Sequence, residues 1–332
     1  MILAAAALFA SVAQAQACRA CHRAEASSQT NTPMAHAMEP VRDCAILKSH
    51  PLLRYKAGDY SYVIRRDGDA SIYSVTDGKQ KITVPIAWAF GLGAAGQTYV
   101  FERGGGWYES RVSFYNAIDG LDLTMGAANR APLNIEEAAG RKMDAADARD
   151  CFHCHATNAV RDKTLALDAL TPGIGCERCH GSAAQHVAAV RSGDAAHLAM
   201  PKLGALTSEE VSELCGACHR TWSQVAANGP RGVLNVRFQP YRLTNSKCYD
   251  AADRRIACTA CHNPHDHSVH EAAYYDSKCR ACHSAAGAAG MCRVSSQNCV
   301  SCHMPKVELP GAHFAFTDHQ IRIAHAGDPY PN

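Results

Sequence analysis

The sequence predicts an α+β protein, with an antiparallel β-rich subdomain near the N-terminus and short helices with irregular loops after it. Residues 53–127 contain runs in which every second side chain is apolar, which is typical of strands with one buried face. Residues 128–332 lack such runs and repeat a short cysteine-histidine motif instead. The 332 residues, 47% of them hydrophobic, are enough for one large or two smaller domains.

The repeated motif is Cys-x-x-Cys-His, and it occurs seven times. On one helical turn, positions i, i+3 and i+4 share a face, so two thiols and one imidazole can meet one flat cofactor. This is the attachment signal of c-type haem, in which the thiols form thioethers and the histidine becomes the proximal iron ligand. The sequence therefore predicts seven covalently attached haem c groups with their iron. The thioether cysteines are Cys18, Cys21, Cys151, Cys154, Cys176, Cys179, Cys215, Cys218, Cys258, Cys261, Cys279, Cys282, Cys299 and Cys302, and the proximal ligands are His22, His155, His180, His219, His262, His283 and His303.

Zinc and disulfide frameworks are the alternative interpretations of paired cysteines. A structural zinc site matches its cysteine pairs two by two, whereas seven is odd. A histidine follows the second cysteine every time, although only 18 of 332 residues are histidine. Disulfide scaffolds are usually much shorter chains. Both alternatives therefore fit the pattern less well than haem.

The terminal segments predict export. Residues 1–17 are apolar and small and end in two overlapping Ala-x-Ala sites, which is typical of a secretory signal peptide, although the positively charged start is missing. A membrane anchor is the alternative, but the run is shorter than the ~20 residues that span a bilayer, and no other run is long enough. We expect a periplasmic or extracellular protein without a transmembrane segment. The formal charge of +2 gives no indication of a nucleic-acid partner.

The chain between the termini divides into three predicted parts. Residues 18–52 carry the first motif. Residues 53–127 form a meander of about five strands without haem, in which residues 82–90 alternate without a break and are expected to be one strand. The sequence Gly91–Gly96 fits the dinucleotide-binding pattern G-x-G-x-x-G, but a strand follows it instead of a helix, so we interpret it as a glycine loop.

Residues 128–332 are predicted to be the multihaem domain with haems 2–7. Residues 128–150 look helical, Thr207 to Glu210 resemble a capping box that starts a helix, and residues 304–332 form an irregular tail. Each haem has only about 25 residues, too few to build an apolar core. The porphyrins must therefore supply the core, with the helices and loops wrapped around stacked haems.

The distal iron ligands come from the eleven histidines outside the motifs. A second histidine makes a six-coordinate haem suited to electron transfer. His186 and His265 follow their own motifs too closely to wrap around the same haem, so each is expected to bind a neighbouring iron. The full set of expected distal ligands is His36, His186, His265, His313 and His319, with Met34 and Met38 as rivals to His36. Two irons then lack a clear distal ligand, which leaves an open coordination site as an alternative.

Three cysteines fall outside the motifs. Cys248 and Cys292 are candidates for a disulfide bond, which would close a loop worth about 4 kcal/mol in the chain-entropy estimate. Cys44 would then be free or paired between chains.

Three segments carry a resemblance to a known family. CERCHGSAAQH (176–186), CTACHNPHD (258–266) and CVSCHMP (299–305) resemble exported multihaem c-type cytochromes, the family of the nitrifiers' tetrahaem cytochrome and the pentahaem nitrite reductases. The resemblance covers about residues 145–320 and the first motif. It implies stacked haem pairs and distal roles for His186 and His265. The nitrite reductases have a lysine in their catalytic motif, and the absence of Cys-x-x-Cys-Lys here counts against nitrite reduction.

These observations lead to two functional hypotheses and one variant. The first is an electron carrier, without catalysis of its own, that passes electrons along closely packed, mainly bis-His haems between exported redox partners. The second is a multihaem oxidoreductase that acts on a small nitrogen or sulfur compound at one five-coordinate haem. The variant of the first is self-assembly into a conducting filament, with Cys44 or a spare histidine as the bridge to the next subunit.

Overall fold

The computed structural model describes residues 18–198, 200–284, 292, 294–325 and 327–331. The predicted signal peptide, residues 1–17, lies outside the described residues. The chain forms two compact units, the first comprising residues up to 178 with 310–314, and the second comprising residues 179–309 with the tail from 315. The fold is α+β with a β-rich N-terminal region, as the sequence predicts.

The β-rich region extends beyond residues 53–127 on both sides and contains two antiparallel sheets. Strands β2, β3, β4 and β5 form a four-stranded meander, while the second sheet has the order β1-β6-β7-β8-β10, with β9 beside β8. The strands are β1 (Met38–Pro40), β2 (Leu52–Ala57), β3 (Tyr60–Asp67), β4 (Ala70–Thr76), β5 (Lys81–Pro85), β6 (Trp88–Phe90), β7 (Gln97–Arg103), β8 (Gly106–Tyr115), β9 (Gly120–Leu123) and β10 (Gly140–Lys142).

The prediction of one continuous strand over residues 82–90 is wrong. The alternation is real, but the chain passes from one sheet to the other at Ile86 and Ala87. The Ile86 N–H donates to Ser71 O of β4 (2.9 Å), and the next N–H, of Ala87, donates to Val100 O of β7 (2.8 Å). Both sheets bury their apolar faces in one core, so side chains on either side of the crossing remain buried and the alternation hides the change of partner.

The core between the sheets explains the period-two pattern. Tyr62, Ile64, Tyr73 and Val75 from the meander are buried with residues of β7 and β8 such as Phe101. The Tyr73 hydroxyl donates to Ala139 O (2.9 Å), which satisfies a polar group inside this core. Burial raises the pKa of Tyr73 well above its usual value, so the hydroxyl stays protonated and serves as a donor.

The glycine loop joins β6 to β7 and has a steric reason for its composition. Gly91 and Gly93 have φ values of 86° and 80°. A Cβ on Gly91 would lie 2.6 Å from Gly96 O, and one on Gly93 would lie 2.3 Å from Asn116 Oδ1. A strand follows the loop, so the context of a dinucleotide site is absent, in agreement with the interpretation as a loop.

The helices are short. They are α1 (Arg23–Gln29), α2 (Ala45–Ser49), α3 (Ile135–Ala139), α4 (Ala145–His155), α5 (Cys176–His180), α6 (Ala184–Ser192), α7 (Ser208–His219), α8 (Trp222–Asn228), α9 (Gln239–Thr244), α10 (Cys258–Cys261), α11 (Ala272–His283) and α12 (Cys299–His303). Residues 128–150, expected to be helical, contain α3, β10 and the start of α4. No helix within the described ranges combines the length and apolar character that a bilayer crossing requires.

Six short strands complete the fold. Two small antiparallel pairs lie in the first unit, β11 (Ala156–Thr157) with β14 (Thr171–Pro172) and β12 (Val160–Arg161) with β13 (Thr164–Leu165). The tail is more regular than expected, because it contains β15 (Lys306–Leu309) and β16 (Phe314–Thr317).

The predicted capping box is present at the start of α7. The Thr207 side chain accepts from the Glu210 N–H, and the Glu210 carboxylate accepts from the Thr207 N–H. Two N–H groups that a helix start leaves without partners are satisfied in this way. The helix that ends in the fourth motif therefore begins at a defined residue.

The Thr207→Ala variant is expected to lower the free energy of unfolding by about 1 kcal/mol, because it removes the acceptor for a helix N-terminal donor. The Thr207→Ser variant keeps that acceptor and should remain close to wild type. Denaturant unfolding of the holoprotein measures both. Equal destabilisation by serine and alanine would show that the hydroxyl does not act as a cap.

Candidate haem-binding sites

Each Cys-x-x-Cys-His motif lies on a helical turn. The second, fourth and sixth motifs end α4, α7 and α11, and the third and seventh form α5 and α12. The fifth forms α10, and its His262 N–H donates to Cys258 O (2.9 Å). In the first motif the His22 N–H donates to Cys18 O (2.8 Å). All seven sets thus have the i, i+3, i+4 spacing on one face that a flat cofactor needs.

The β-rich region holds the second motif in place. Phe152, which lies between the motif's cysteines, is fully buried. Its ring meets Phe90 edge-on at 5.2 Å and Trp107 at 5.6 Å between centroids. The His155 ring stacks on Phe90 at 5.0 Å. The sheet therefore fixes both the helix that carries this motif and the imidazole at its end.

Two imidazole pairs combine a motif histidine with a predicted distal ligand. The rings of His180 and His265 lie 6.0 Å apart between centroids, at an interplanar angle of 7°. The rings of His262 and His319 lie 6.2 Å apart, at 38°. In both pairs the predicted distal ligand faces the histidine of a motif other than its own. This agrees with the expectation that His265, which lies too close to His262 to bind the same iron, binds a neighbouring one.

These separations match the distance between two axial ligands of one iron. Metal–imidazole bonds are about 2 Å long and the nitrogen lies about 1.1 Å from the ring centroid, so opposite ligands have centroids about 6.2 Å apart. Aromatic rings in direct contact also have centroids about 4.5–7 Å apart, so the distance fits both arrangements. The positions of His180 and His262 in Cys-x-x-Cys-His motifs favour an iron between the rings. The residues present therefore fit a haem iron between each pair.

Hydrogen bonds define the tautomer of four imidazoles. The Nδ1 atoms of His155 and His303 lie 2.8 Å from Ala37 O and Arg322 O. The Nδ1 atoms of the predicted distal ligands His186 and His319 lie 2.8 and 2.9 Å from Leu198 O and Thr317 O. A carbonyl only accepts, so each Nδ1 carries the hydrogen and each Nε2 carries a lone pair. This is the orientation in which proteins present histidine to a metal.

Burial favours the neutral form of three imidazoles. Desolvation lowers the pKa of His155 and of His262. Desolvation, together with the nearby His262, lowers the pKa of His319 to about 4. The hydrogen bond to Thr317 O acts in the opposite direction but is the smaller effect. A neutral ring is the form that binds iron.

His36 and His313 are held by carboxylates. His36 Nδ1 lies 3.0 Å from Glu39 Oε1, and its side chain is 44% exposed. His313 Nε2 lies 2.8 Å from Asp122 Oδ2, and its ring packs on Tyr115 at 4.7 Å. Coordination of iron by His313 Nε2 would require the bond to Asp122 to break, so the structure favours a role for His313 in holding residues 310–314 against the β-rich region.

Thiols of different motifs contact one another. Cys18 of the first motif contacts Cys176 of the third, Cys215 of the fourth contacts Cys258 of the fifth, and Cys279 of the sixth contacts Cys299 of the seventh. Each thiol is the predicted tether of a separate porphyrin. The haems attached at these cysteines would therefore have neighbouring thioether bonds.

The remaining cysteines differ in their surroundings. Cys248 and Cys292 are both exposed and free, and the disulfide bond between them stays a prediction. Cys44 is fully buried, and its thiol donates to Gln97 Oε1 (3.1 Å). Its sulfur lies inside the β-rich core, which disfavours a bridge from Cys44 to another chain.

Asp276 is a functional residue that the motifs do not reveal. It lies on α11, which carries the sixth motif, and its carboxylate accepts from the N–H groups of Asn298 (2.7 Å) and Cys299 (2.8 Å). These bonds cap α12, which carries the seventh motif. They also lower the pKa of Asp276, with the Cys299 N–H as the largest cause. Since the two residues are 23 positions apart, no local signal in the sequence connects them.

The helical motifs and the imidazole pairs are typical of c-type cytochromes with several haems. Residues 124–181, which contain the second and third motifs, match the family model described as Cytochrome c554 and c-prime. The chain matches no curated protein. The motifs and the matched segment support a multihaem cytochrome that binds haem c covalently and transfers electrons.

A similarity to a solved structure is weaker. The chain is similar to a structure described as that of the outer cell wall cytochrome OcwA, with 18% identity and a TM-score of 0.36. The similarity covers 61% of this chain and 36% of that chain, so this protein corresponds to about a third of the length of the other.

The Asp276→Ala variant is expected to lower haem occupancy at the seventh motif while the other six motifs stay loaded. Removal of the carboxylate leaves two helix N-terminal donors without an acceptor, so the turn that must present Cys299, Cys302 and His303 frays. Mass spectrometry of the proteolytic peptide that spans residues 299–303 measures the occupancy.

Asp276→Asn keeps one acceptor oxygen and should fall between alanine and wild type. The exposed Asp168, in the first unit, gives the matched control Asp168→Ala. Full occupancy of the seventh motif in Asp276→Ala would contradict the capping role.

Proposed function

We propose that this protein is a heptahaem c-type cytochrome that carries electrons between exported redox proteins along closely packed, mainly bis-His haems. The observation that carries the proposal is the pair of imidazole separations, 6.0 Å for His180–His265 and 6.2 Å for His262–His319. When bound, haem iron supplies a one-electron couple whose potential follows the axial ligands.

The chain's own residues limit what these irons can do. Haem iron held between two such imidazoles would have both axial positions filled, which would disfavour binding of a substrate and favour electron transfer. The Nδ1 bonds of His155, His303 and His319 hold the rings in one tautomer. Fixed ligands reduce the rearrangement that accompanies a change of charge at the metal, because the ligand geometry is set before the electron arrives.

The thiol contacts support close packing of the haems. Three contacts join motifs one and three, four and five, and six and seven. Six of the seven motifs thus have a neighbour whose tether adjoins their own. We infer from this pairing that the porphyrins lie near enough for electrons to pass between them. A protein that only carries electrons needs a donor and an acceptor, and we propose that these are other redox proteins.

The proposed location is the periplasm or the cell exterior. Residues 1–17 have the composition of a signal peptide. Haem c is attached outside the cytoplasm, which agrees with export. Electron micrographs of the purified protein test self-assembly into a filament, for which a spare histidine is a better bridge than the buried Cys44.

A multihaem oxidoreductase is the second candidate, and the position of His313 favours it. If Asp122 retains His313 Nε2, one more iron lacks its expected distal ligand. A five-coordinate haem at that place would admit a small nitrogen or sulfur compound. A high-spin band in the spectrum of the ferric protein would favour this candidate, and a fully low-spin spectrum would exclude it.

The mature holoprotein is expected to carry seven haems, one for each motif. Intact mass and iron content per chain measure the number. The double variant Cys299→Ser, Cys302→Ser should carry one haem fewer, because its thioether bonds cannot form. The control Cys248→Ser lies outside the motifs and should retain all seven. A wild-type protein with fewer haems, or a double variant with an unchanged number, would contradict the proposal.

The His319→Ala variant is expected to convert one haem of the seven from low to high spin, because it removes the imidazole that faces His262. Electron paramagnetic resonance of the ferric protein measures the change, and free imidazole should reverse it.

His50→Ala is the matched control for His319→Ala. Both ring nitrogens of His50 are bonded within the β-rich region, to Ile46 O and Asp119 Oδ1 at 3.0 Å each. The spectrum of His50→Ala should therefore match that of the wild type. If His319→Ala leaves the spectrum unchanged, His319 is not an axial ligand.

A further inference from the structure

The second unit contains a fully buried ion pair. Arg242 on α9 and Asp318 in the tail have side chains with 0% exposure. Arg242 Nε and Nη2 donate to the two carboxylate oxygens at 2.8 and 2.9 Å, which is a bidentate arrangement. Buried ion pairs are seldom retained for stability, because well-packed apolar residues of similar volume often serve as well. We therefore examine whether this pair fixes the position of neighbouring groups.

Both N–H groups of Arg242 Nη1 also have partners. Arg242 Nη1 donates to Pro331 O (2.9 Å) and to Asn235 Oδ1 (3.2 Å). The Tyr330 ring lies 4.6 Å from Arg242 Cζ. Since the fork of Arg242 is planar and rigid, these contacts fix both the position and the rotation of the Asp318 carboxylate.

The carboxylate is one residue away from a predicted iron ligand. His319 follows Asp318 directly, its Nδ1 donates to Thr317 O (2.9 Å), and its carbonyl accepts from Ser246 Oγ (3.2 Å). The backbone on both sides of His319 is thus tied down. With Asp318 held by Arg242, the ring of His319 is aimed at His262, 6.2 Å away.

The same carboxylate reaches a second iron ligand through Arg322. Asp318 Oδ2 accepts from Arg322 Nη1. The backbone of Arg322 is joined to His303 twice: Arg322 N–H donates to His303 O (3.2 Å), and Arg322 O accepts from His303 Nδ1 (2.8 Å). The carbonyl that sets the tautomer of His303 therefore belongs to a residue that Asp318 holds.

We propose that the buried Arg242–Asp318–Arg322 cluster is a positioning device shared by two haems, one bound by His262 and His319 and the other bound by His303. The inference rests on the proposed haem function. These residues act through the two imidazoles and do not themselves bind iron. A disturbance of the cluster changes the fifth and seventh motifs together and leaves the other five haems as they are.

The test compares Arg242→Met and Arg242→Lys holoproteins with wild type. In Arg242→Met the bidentate fork is lost, so His319 is released and one of the seven haems is expected to become high-spin. The haem of the seventh motif should keep its ligands but show shifted g values in electron paramagnetic resonance, because the ring of His303 is no longer held in one orientation. Arg242→Lys, which provides one donor in place of two, should restore part of the low-spin signal. Free imidazole should restore the fifth-motif signal alone.

The controls separate positioning from general damage. Arg255→Met removes a surface ion pair of the same unit, with Asp253, and should leave all haem signals unchanged. If Arg242→Met does not fold, Arg322→Gln tests the proposal instead, because the side chain of Arg322 is partly exposed and its replacement disturbs the fold less. That variant should shift the seventh-motif signal and leave the haem content at the wild-type value.

The outcomes distinguish this inference from the proposed function. A wild-type protein with low-spin haems and variants with unchanged spectra would overturn the inference and leave the function intact. Shifts spread over all seven haems would also overturn it, because they would indicate loosening of the whole unit. A wild-type protein without low-spin haem would overturn the proposed function itself.

Discussion

An imidazole that binds iron must present one bare nitrogen in a fixed direction, and backbone carbonyls provide that constraint for four of the predicted ligands, His155, His186, His303 and His319. His155 finds its carbonyl 118 residues earlier, at Ala37, and His303 finds one 19 residues later, at Arg322. A hydrogen bond of this kind selects the tautomer and the rotation of the ring together. Much of the fold around the motifs can be understood as the means of bringing such carbonyls to their imidazoles.

The two units satisfy that constraint by different physical means. In the first unit, apolar packing fixes the strand that follows Ala37, through Met38, and the aromatic cluster around Phe152. In the second unit, the motif-bearing segments are held by helix caps at Asp276 and Thr207 and by the buried charge cluster around Arg242. This difference follows from the density of motifs, since about 25 residues for each haem do not suffice for an apolar core.

Local sequence patterns predicted what depends on local contacts. The motif spacing required a helical turn, Thr207 and Glu210 required a helix start, and alternation in residues 53–127 required strands. The crossing at Ile86 was hidden because both sheets bury the same face of the chain. Arg242 and Asp318, 76 residues apart, and the cap between Asp276 and Cys299 depend on the tertiary fold, and no periodicity records them. The same holds for His313, whose partner Asp122 lies 191 residues earlier.

The burial of Cys44 has a consequence for how the polypeptide matures. Every motif presents two thiols that must remain reduced until they react, and a surplus sulfur nearby would be a competitor for wrong linkages. Cys44 is enclosed by the sandwich, and burial raises the pKa of its thiol, which suppresses the reactive thiolate. Once the two sheets have closed, this sulfur is withdrawn from exchange chemistry.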